Sequence, residues 1–215
     1  MDLITWFIDV VLHLDRHLTD LVAQYHFWVY AILFLIIFCE TGLVVTPFLP
    51  GDSLLFAAGA LAAIDSSGTL NAVWLWLLLM LAAILGNEVN FRIGRAVGPR
   101  AFSGNLRWLK KEYLLRTQAF YDKHGGKTIV MSRFIPIIRT FAPFVAGVGM
   151  MQRRKFAAYN FVGGFAWLTL FIWGGYLFGN VPLIKQNFGI VTIAIIVISV
   201  IPVVWGLLKP APKAA

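Results

Sequence analysis

The chain has 215 residues, 60% of them hydrophobic and only 13% charged, with a mean hydropathy of +0.79, so lipid rather than water is its expected solvent. A pI near 9.9 and a formal charge of +8 raise the question of nucleic acid, but the basic residues cluster beside apolar runs, where the positive-inside rule accounts for them. The lone cysteine, Cys39, excludes an intramolecular disulfide and leaves a metal site without thiol partners.

Residues 1–26 begin without a basic n-region or a small-residue cleavage site, so no cleaved signal peptide is expected. Leu3, Phe7, Val10, Leu14, Leu18 and Leu21 recur at helical spacing, while Asp9, His13, Arg16 and Asp20 fall on another face. That pattern predicts an amphipathic helix lying on the membrane or against the bundle, and its acidic polar face suits a structural role better than docking on anionic lipid. Apolar runs near 27–46, 72–93, 156–178 and 188–208 each hold about 20 residues, enough to cross a hydrocarbon core of roughly 30 Å as helix. Four transmembrane spans are therefore predicted, with Trp28, Tyr30 and Trp108 as interfacial anchors.

Two more stretches, 47–63 and 128–150, are apolar enough for the membrane but unsuited to a simple span. The first contains Pro47, Pro50, Gly51 and Asp52; the second contains Arg133, Pro136, Arg139 and Pro143. Proline removes a helical hydrogen bond and clashes with the preceding turn, so both segments are expected to break, leaving backbone groups that lipid cannot satisfy. Charge fixes their direction. Residues 92–127 hold nine Lys or Arg against two acids, and Arg153, Arg154 and Lys155 follow the second broken segment. A spanning 128–150 would put these basic clusters on opposite sides, against the positive-inside rule; a re-entrant hairpin keeps both cytoplasmic. The first hairpin then dips in from the outer side. The fold class expected is thus an all-α polytopic membrane protein, with four transmembrane helices and two oppositely oriented re-entrant hairpins. Its single membrane domain covers 27–209, followed by a tail at 210–215, and both termini are cytoplasmic.

A weak internal repeat supports this arrangement. A broken segment with Gly59 or Gly147 near its end precedes a span closing on Phe91-Arg92-Ile93-Gly94 or Tyr176-Leu177-Phe178-Gly179. Interrupted segments at corresponding places in two halves point to an inverted-repeat transporter with a site near the midplane. Between the halves, the basic segment 95–127 includes an amphipathic helix at 106–124, with Leu106, Leu109, Tyr113 and Phe120 on its apolar side, suited to an anionic cytoplasmic leaflet.

A charge near the bilayer centre costs about 3 kcal/mol on insertion scales, so Glu40, Asp52, Arg133 and Arg139 need partners, water or a task. The planar guanidinium forks of Arg133 and Arg139 match a phosphate or carboxylate, which makes them candidates to bind an anionic headgroup. Glu40 and Asp52 are candidates to carry a proton. The alternative is that the four neutralise one another as ion pairs that fix the hairpins, although such pairs are weak sources of stability. Glu88 is expected to pair with Arg92 four residues on, and His124 to lie at a helix end. No phosphate-binding Gly-rich loop, His-Glu-x-x-His, Cys pair or Gly-x-Ser-x-Gly is present, so no enzyme, metal or cofactor is expected.

Glu40, Pro47-x-x-Pro50-Gly51-Asp52, Phe91-x-Ile93-Gly94-Arg95 and Arg133-Phe134-x-Pro136-x-x-Arg139-Thr140, with Gly147 beyond, together resemble the DedA family of bacterial inner-membrane proteins, over roughly residues 30–180. The resemblance implies a lipid-scramblase-like domain that moves undecaprenyl phosphate or phospholipid with the proton-motive force. It also implies support of envelope integrity and cell division, and essential acids and arginines at Glu40, Asp52, Arg133 and Arg139. The chain departs from the family pattern at Asn87 and Phe91, where members often carry Asp and Tyr. The resulting expectation is a proton-linked transporter, flippase or scramblase of an anionic lipid phosphate, with membrane lipids and protons as partners and no nucleic acid. Self-association is left open. Two other readings also stay open: a membrane-organising protein that transports nothing, and a small-cation or drug/proton antiporter.

Overall fold

The computed structural model describes residues 27–43, 51–65, 68–101 and 125–179, with isolated positions 20, 22, 24, 25, 181, 182, 190, 191 and 194. All regular structure among them is helical. The helices are α1 (Trp28–Gly42), α2 (Gly51–Ile64), α3 (Ala72–Ala101), α4 (Lys127–Ser132), α5 (Pro136–Val148), α6 (Arg153–Leu168) and α7 (Gly174–Phe178); a π-helical turn, Thr169–Trp173, joins α6 to α7. The N-terminal amphipathic helix, Pro47, Pro50, the 106–124 helix, His124 and most of the 188–208 span lie outside the described residues.

Among the described residues, two continuous helices are long and apolar enough to cross a membrane, Ala72–Gly98 and Arg153–Phe178. They correspond to two of the four expected spans, with changed ends. The first starts at the expected residue because Asn71 caps it: its Oδ1 accepts from the backbone N–H of Val73 at 2.9 Å and of Trp74 at 3.2 Å. It then continues past Arg95 to Ala101, further than the apolar run alone would carry it, so residues 95–101 belong to α3 and not to a separate segment. The second starts at Arg153, three residues earlier than expected. By contrast α1 has 15 described residues, about 22 Å of helix.

Tyr30, expected as an interfacial anchor, has a more specific task. Its hydroxyl donates to the Thr69 carbonyl at 3.1 Å and accepts from the Asn71 N–H at 2.7 Å, tying the loop before α3 to α1.

The second Pro-containing stretch breaks as expected, and only once. Helix α4 ends at Ser132, the chain turns over residues 133–135, and Pro136 starts α5, where its missing N–H leaves no hydrogen bond unmade. Pro143 sits inside α5 without interrupting it. Asn90 of α3 contributes there, its Nδ2 donating to the Thr140 carbonyl at 2.7 Å in the turn that Pro143 disturbs.

Helix packing rests on paired backbone contacts. A Cβ at Gly59 would overlap the Ile172 carbonyl oxygen, and one at Gly175 would overlap that of Phe56, so α2 lies directly against the π turn and α7. The same exchange joins α5 to α3: a Cβ at Gly147 would strike the Phe91 carbonyl and one at Gly94 that of Phe144. In each case the carbonyl residue and the glycine are three apart, one helical turn, so two helices lock carbonyl against bare Cα. The contacts match Gly94 with Gly175, whereas the sequence repeat matched it with Gly179; a Cβ at Gly179 would instead come within 2.5 Å of the Ala60 side chain. Each half of the chain therefore holds the other half's shorter helix. At the middle of α3, Gly42 and Gly86 bring the end of α1 close, with a Cβ at Gly42 only 3.2 Å from the Gly86 Cα.

Candidate functional site

Five elements converge on a cluster of buried polar side chains: the end of α1, the start of α2, the middle of α3, the α4–α5 break and the middle of α6. Glu40, Asp52, Arg133 and Arg139 are all 5% exposed or less, and so are Asn87, Asn90, Thr140 and Asn160.

The acids come together because α1 ends where α2 begins. Glu40 occupies the last turn of α1 and Asp52 the first turn of α2, where the free N–H groups and helix dipole favour a carboxylate. Gly51 makes the approach possible, since a Cβ there would overlap the Glu40 carboxylate.

Arg139, one turn into α5, closes on both acids. Its Nη1 donates to Asp52 Oδ1 at 2.5 Å and its Nη2 to Glu40 Oε1. Trp167 of α6 completes the group: its indole N–H donates to the same Asp52 oxygen at 2.8 Å, and its ring centroid lies 4.6 Å from the Arg139 Cζ.

Arg133 has a different environment. It sits at the α4–α5 break and is fully buried, yet among the described residues no carboxylate pairs with it. Its Nη2 donates to Asn160 Oδ1 at 2.5 Å and to the Ala83 carbonyl at 3.3 Å, and its Cζ lies 5.7 Å from the Trp167 ring centroid. Asn160 also accepts from Asn87 Nδ2 at 3.1 Å and donates to the Ile84 carbonyl at 3.0 Å. The four charges expected to share a site thus divide unevenly, both acids going to Arg139 and none to Arg133.

Hydrogen bonding within the cluster is incomplete. Glu40 Oε2, Asn87 Oδ1, Asn90 Oδ1, Arg133 Nε and Nη1, and Arg139 Nε are buried and have no hydrogen-bond partner among the described residues. Each such atom costs about 1–3 kcal/mol in a folded protein, so the cluster is poorly optimised as a purely structural element.

Sequence reasoning missed Asn160 and Trp167. They lie seven residues apart on one face of α6 with Gly163 and Gly164 between, and a tryptophan far from either end of a span was the available signal. Glu88 is separate from the cluster: it accepts from Arg92 at 2.8 Å, as expected, and from Arg153 at 2.9 Å, both arginines being solvent-exposed.

A family model described as the VTT domain matches residues 49–177. The chain is 53% identical over 216 residues to Protein DedA of Escherichia coli K12, covering 100% of this chain and 98% of the relative. It is 34% identical to Inner membrane protein YghB of Salmonella typhimurium, over 84% of this chain and 81% of the relative. Inner membrane protein YqjA of Escherichia coli K12 is 33% identical, over 83% and 80%. No solved structure matches the chain.

Proposed function

This chain belongs to the DedA family of VTT-domain membrane proteins, and from its buried charges we propose that it is a proton-linked transporter, flippase or scramblase of an anionic lipid phosphate. Arg133 and Arg139 receive the headgroup, and Glu40 and Asp52 carry the proton. The observation that carries this reading is the unequal partnering of the two arginines, deep in the helical core: one held by two carboxylates, the other buried with no carboxylate paired to it among the described residues. A phosphate entering the cluster has a cation already waiting, and it competes with Asp52 and Glu40 for the second. Protonation of either acid loosens its hold on Arg139, so headgroup and proton exchange through one guanidinium.

Depth fits this role. Arg133 reaches the carbonyl of Ala83, about 16 Å along the helix from Ala72 and about 22 Å from Gly98. Placement in a bacterial inner membrane follows its relatives YghB and YqjA, both named as inner membrane proteins. Re-entrant hairpins also belong to this proposal. Gly126, just before α4, lies against Tyr159, and Val148, at the end of α5, lies against Gly98, while Arg153 joins Glu88. Both ends of the 127–148 segment thus stay with the basic ends of α3 and α6, while its break reaches the buried cluster. Helix α2 runs from that cluster toward the opposite end, which suits a hairpin entering from the other face, with both termini cytoplasmic.

Reconstitution in proteoliposomes tests the reading: a labelled phosphate lipid should cross the bilayer at a rate that depends on an imposed pH gradient. Full activity in an Arg133→Ala, Arg139→Ala double variant would sink the assignment. Movement of small cations in place of lipid in the same vesicles would favour an antiporter. If neutral variants of Glu40 and Asp52 fail to insert, a membrane-organising role is favoured instead.

A further inference from the structure

A second concentration of charge lies away from the buried cluster. Arg92 and Arg95 of α3, Lys127 of α4, and Arg153, Arg154 and Lys155 of α6 are all exposed, and helix packing brings them to one end of the molecule. Glu88 joins two of them, accepting from Arg92 at 2.8 Å and from Arg153 at 2.9 Å. Arg95 follows Arg92 by about one turn on α3. Lys127 follows Gly126, whose backbone lies against Tyr159, about one turn along α6 from Lys155. Glu88 is the one acid on this rim among the described residues. Helix stability does not account for the cations: the dipole favours acids in a first turn, yet α6 opens Arg153-Arg154-Lys155 with no acid and no side-chain cap. Apolar side chains stand exposed between them, Ile93 and Val97 on α3 and Met150 just before α6. Cations interleaved with exposed apolar groups match the boundary between headgroups and acyl chains. A nucleic acid or a soluble acidic protein would leave those apolar groups without a partner.

We propose that this rim is a docking surface for anionic phospholipid headgroups, separate from the buried cluster, and that a bound headgroup ties the end of α3 to the start of α6. Glu88 engages Arg92 and Arg153, which leaves Arg95, Arg154 and Lys155 as the outer cations for a headgroup. With one acid among so many cations the two helix ends repel each other, and an anion lying between them removes that repulsion. Binding therefore stabilises the packed pair of helices as well as anchoring the rim in the leaflet. Each cation close to an anionic surface adds about fivefold to affinity, an attraction that fades beyond about 8 Å at physiological salt. A zwitterionic headgroup brings its own cation and gains little. The rim reads net charge at the membrane surface and needs no lipid to enter the protein.

The test is thermal unfolding of the purified full chain in detergent, with phosphatidylglycerol or phosphatidylcholine of matched acyl chains added. At low salt phosphatidylglycerol should raise the unfolding temperature by about 5 °C more than phosphatidylcholine, and about 1 M salt should remove the difference. An Arg95→Gln, Arg154→Gln, Lys155→Gln triple variant, altered only at exposed positions, should lose most of the difference, whereas Arg133→Ala should retain it. Equal effects of the two lipids, or a difference that persists in high salt or in the triple variant, would overturn the inference. A difference lost in Arg133→Ala would put the lipid in the buried cluster and overturn it as well. If Arg133→Ala does not fold, the salt series and the triple variant still decide. No transport is measured, so failure here leaves the proton-linked carrier reading intact, and failure of that reading leaves the rim standing.

Discussion

Arg139 and Arg133 stand over the same tryptophan, yet their surroundings differ in kind. Arg139 is enclosed by two carboxylates on two other helices, so it links α1, α2 and α5 and its charge is more than balanced. Arg133 meets an amide oxygen and a backbone carbonyl, both neutral. A charge with two counter-ions contributes to assembly, because removing it strands two acids; a charge with none contributes little to assembly and is available to a ligand. Similar residues on one broken segment thus take on separate duties, one holding the fold and one receiving substrate.

Substitutions can break or sharpen that contrast. Arg139→Ala should have the largest effect, lowering stability by about 3–5 kcal/mol as two buried carboxylates lose their cation, measured by thermal unfolding in detergent alongside lost transport. Gly51→Ala attacks the same arginine indirectly, pushing the Glu40 carboxylate from its seat, and should cost about 1–3 kcal/mol with partial loss of transport. Trp167→Phe keeps an aromatic surface beneath both guanidiniums and deletes only the N–H held by Asp52. It should cost about 1.5 kcal/mol and flatten the dependence of lipid movement on the pH gradient. Arg133→Ala should cost less stability than Arg139→Ala in the same unfolding measurement, because it strands no carboxylate, while abolishing transport. If Arg133→Ala and Arg139→Ala unfold at the same temperature, the division of duties is wrong.

All four buried charges were legible in the sequence because ionisable residues within apolar runs are conspicuous. Pro136 was legible because proline dictates local geometry. Their partnering was not, since spacing along a chain carries no distance between helices. Asn160 and Trp167 escaped for a related reason: an amide and an aromatic ring in an apolar span are unremarkable until a charged neighbour is known. The extension of α3 to Ala101 was hidden because the helix runs past its apolar stretch. The pairing of Glu88 with Arg153, 65 residues away, needed the tertiary fold, whereas its pairing with Arg92 needed only helical periodicity.

The crossed glycine contacts have a mechanical consequence. Because α2 is clasped by the end of the second long helix and α5 by the end of the first, neither half of the molecule keeps its own broken helix to itself. The halves are interlaced like two folded hands. A chain severed between α3 and α4 should still travel as one particle, and any rocking that opens the charged cluster on one side must turn the two clasps together.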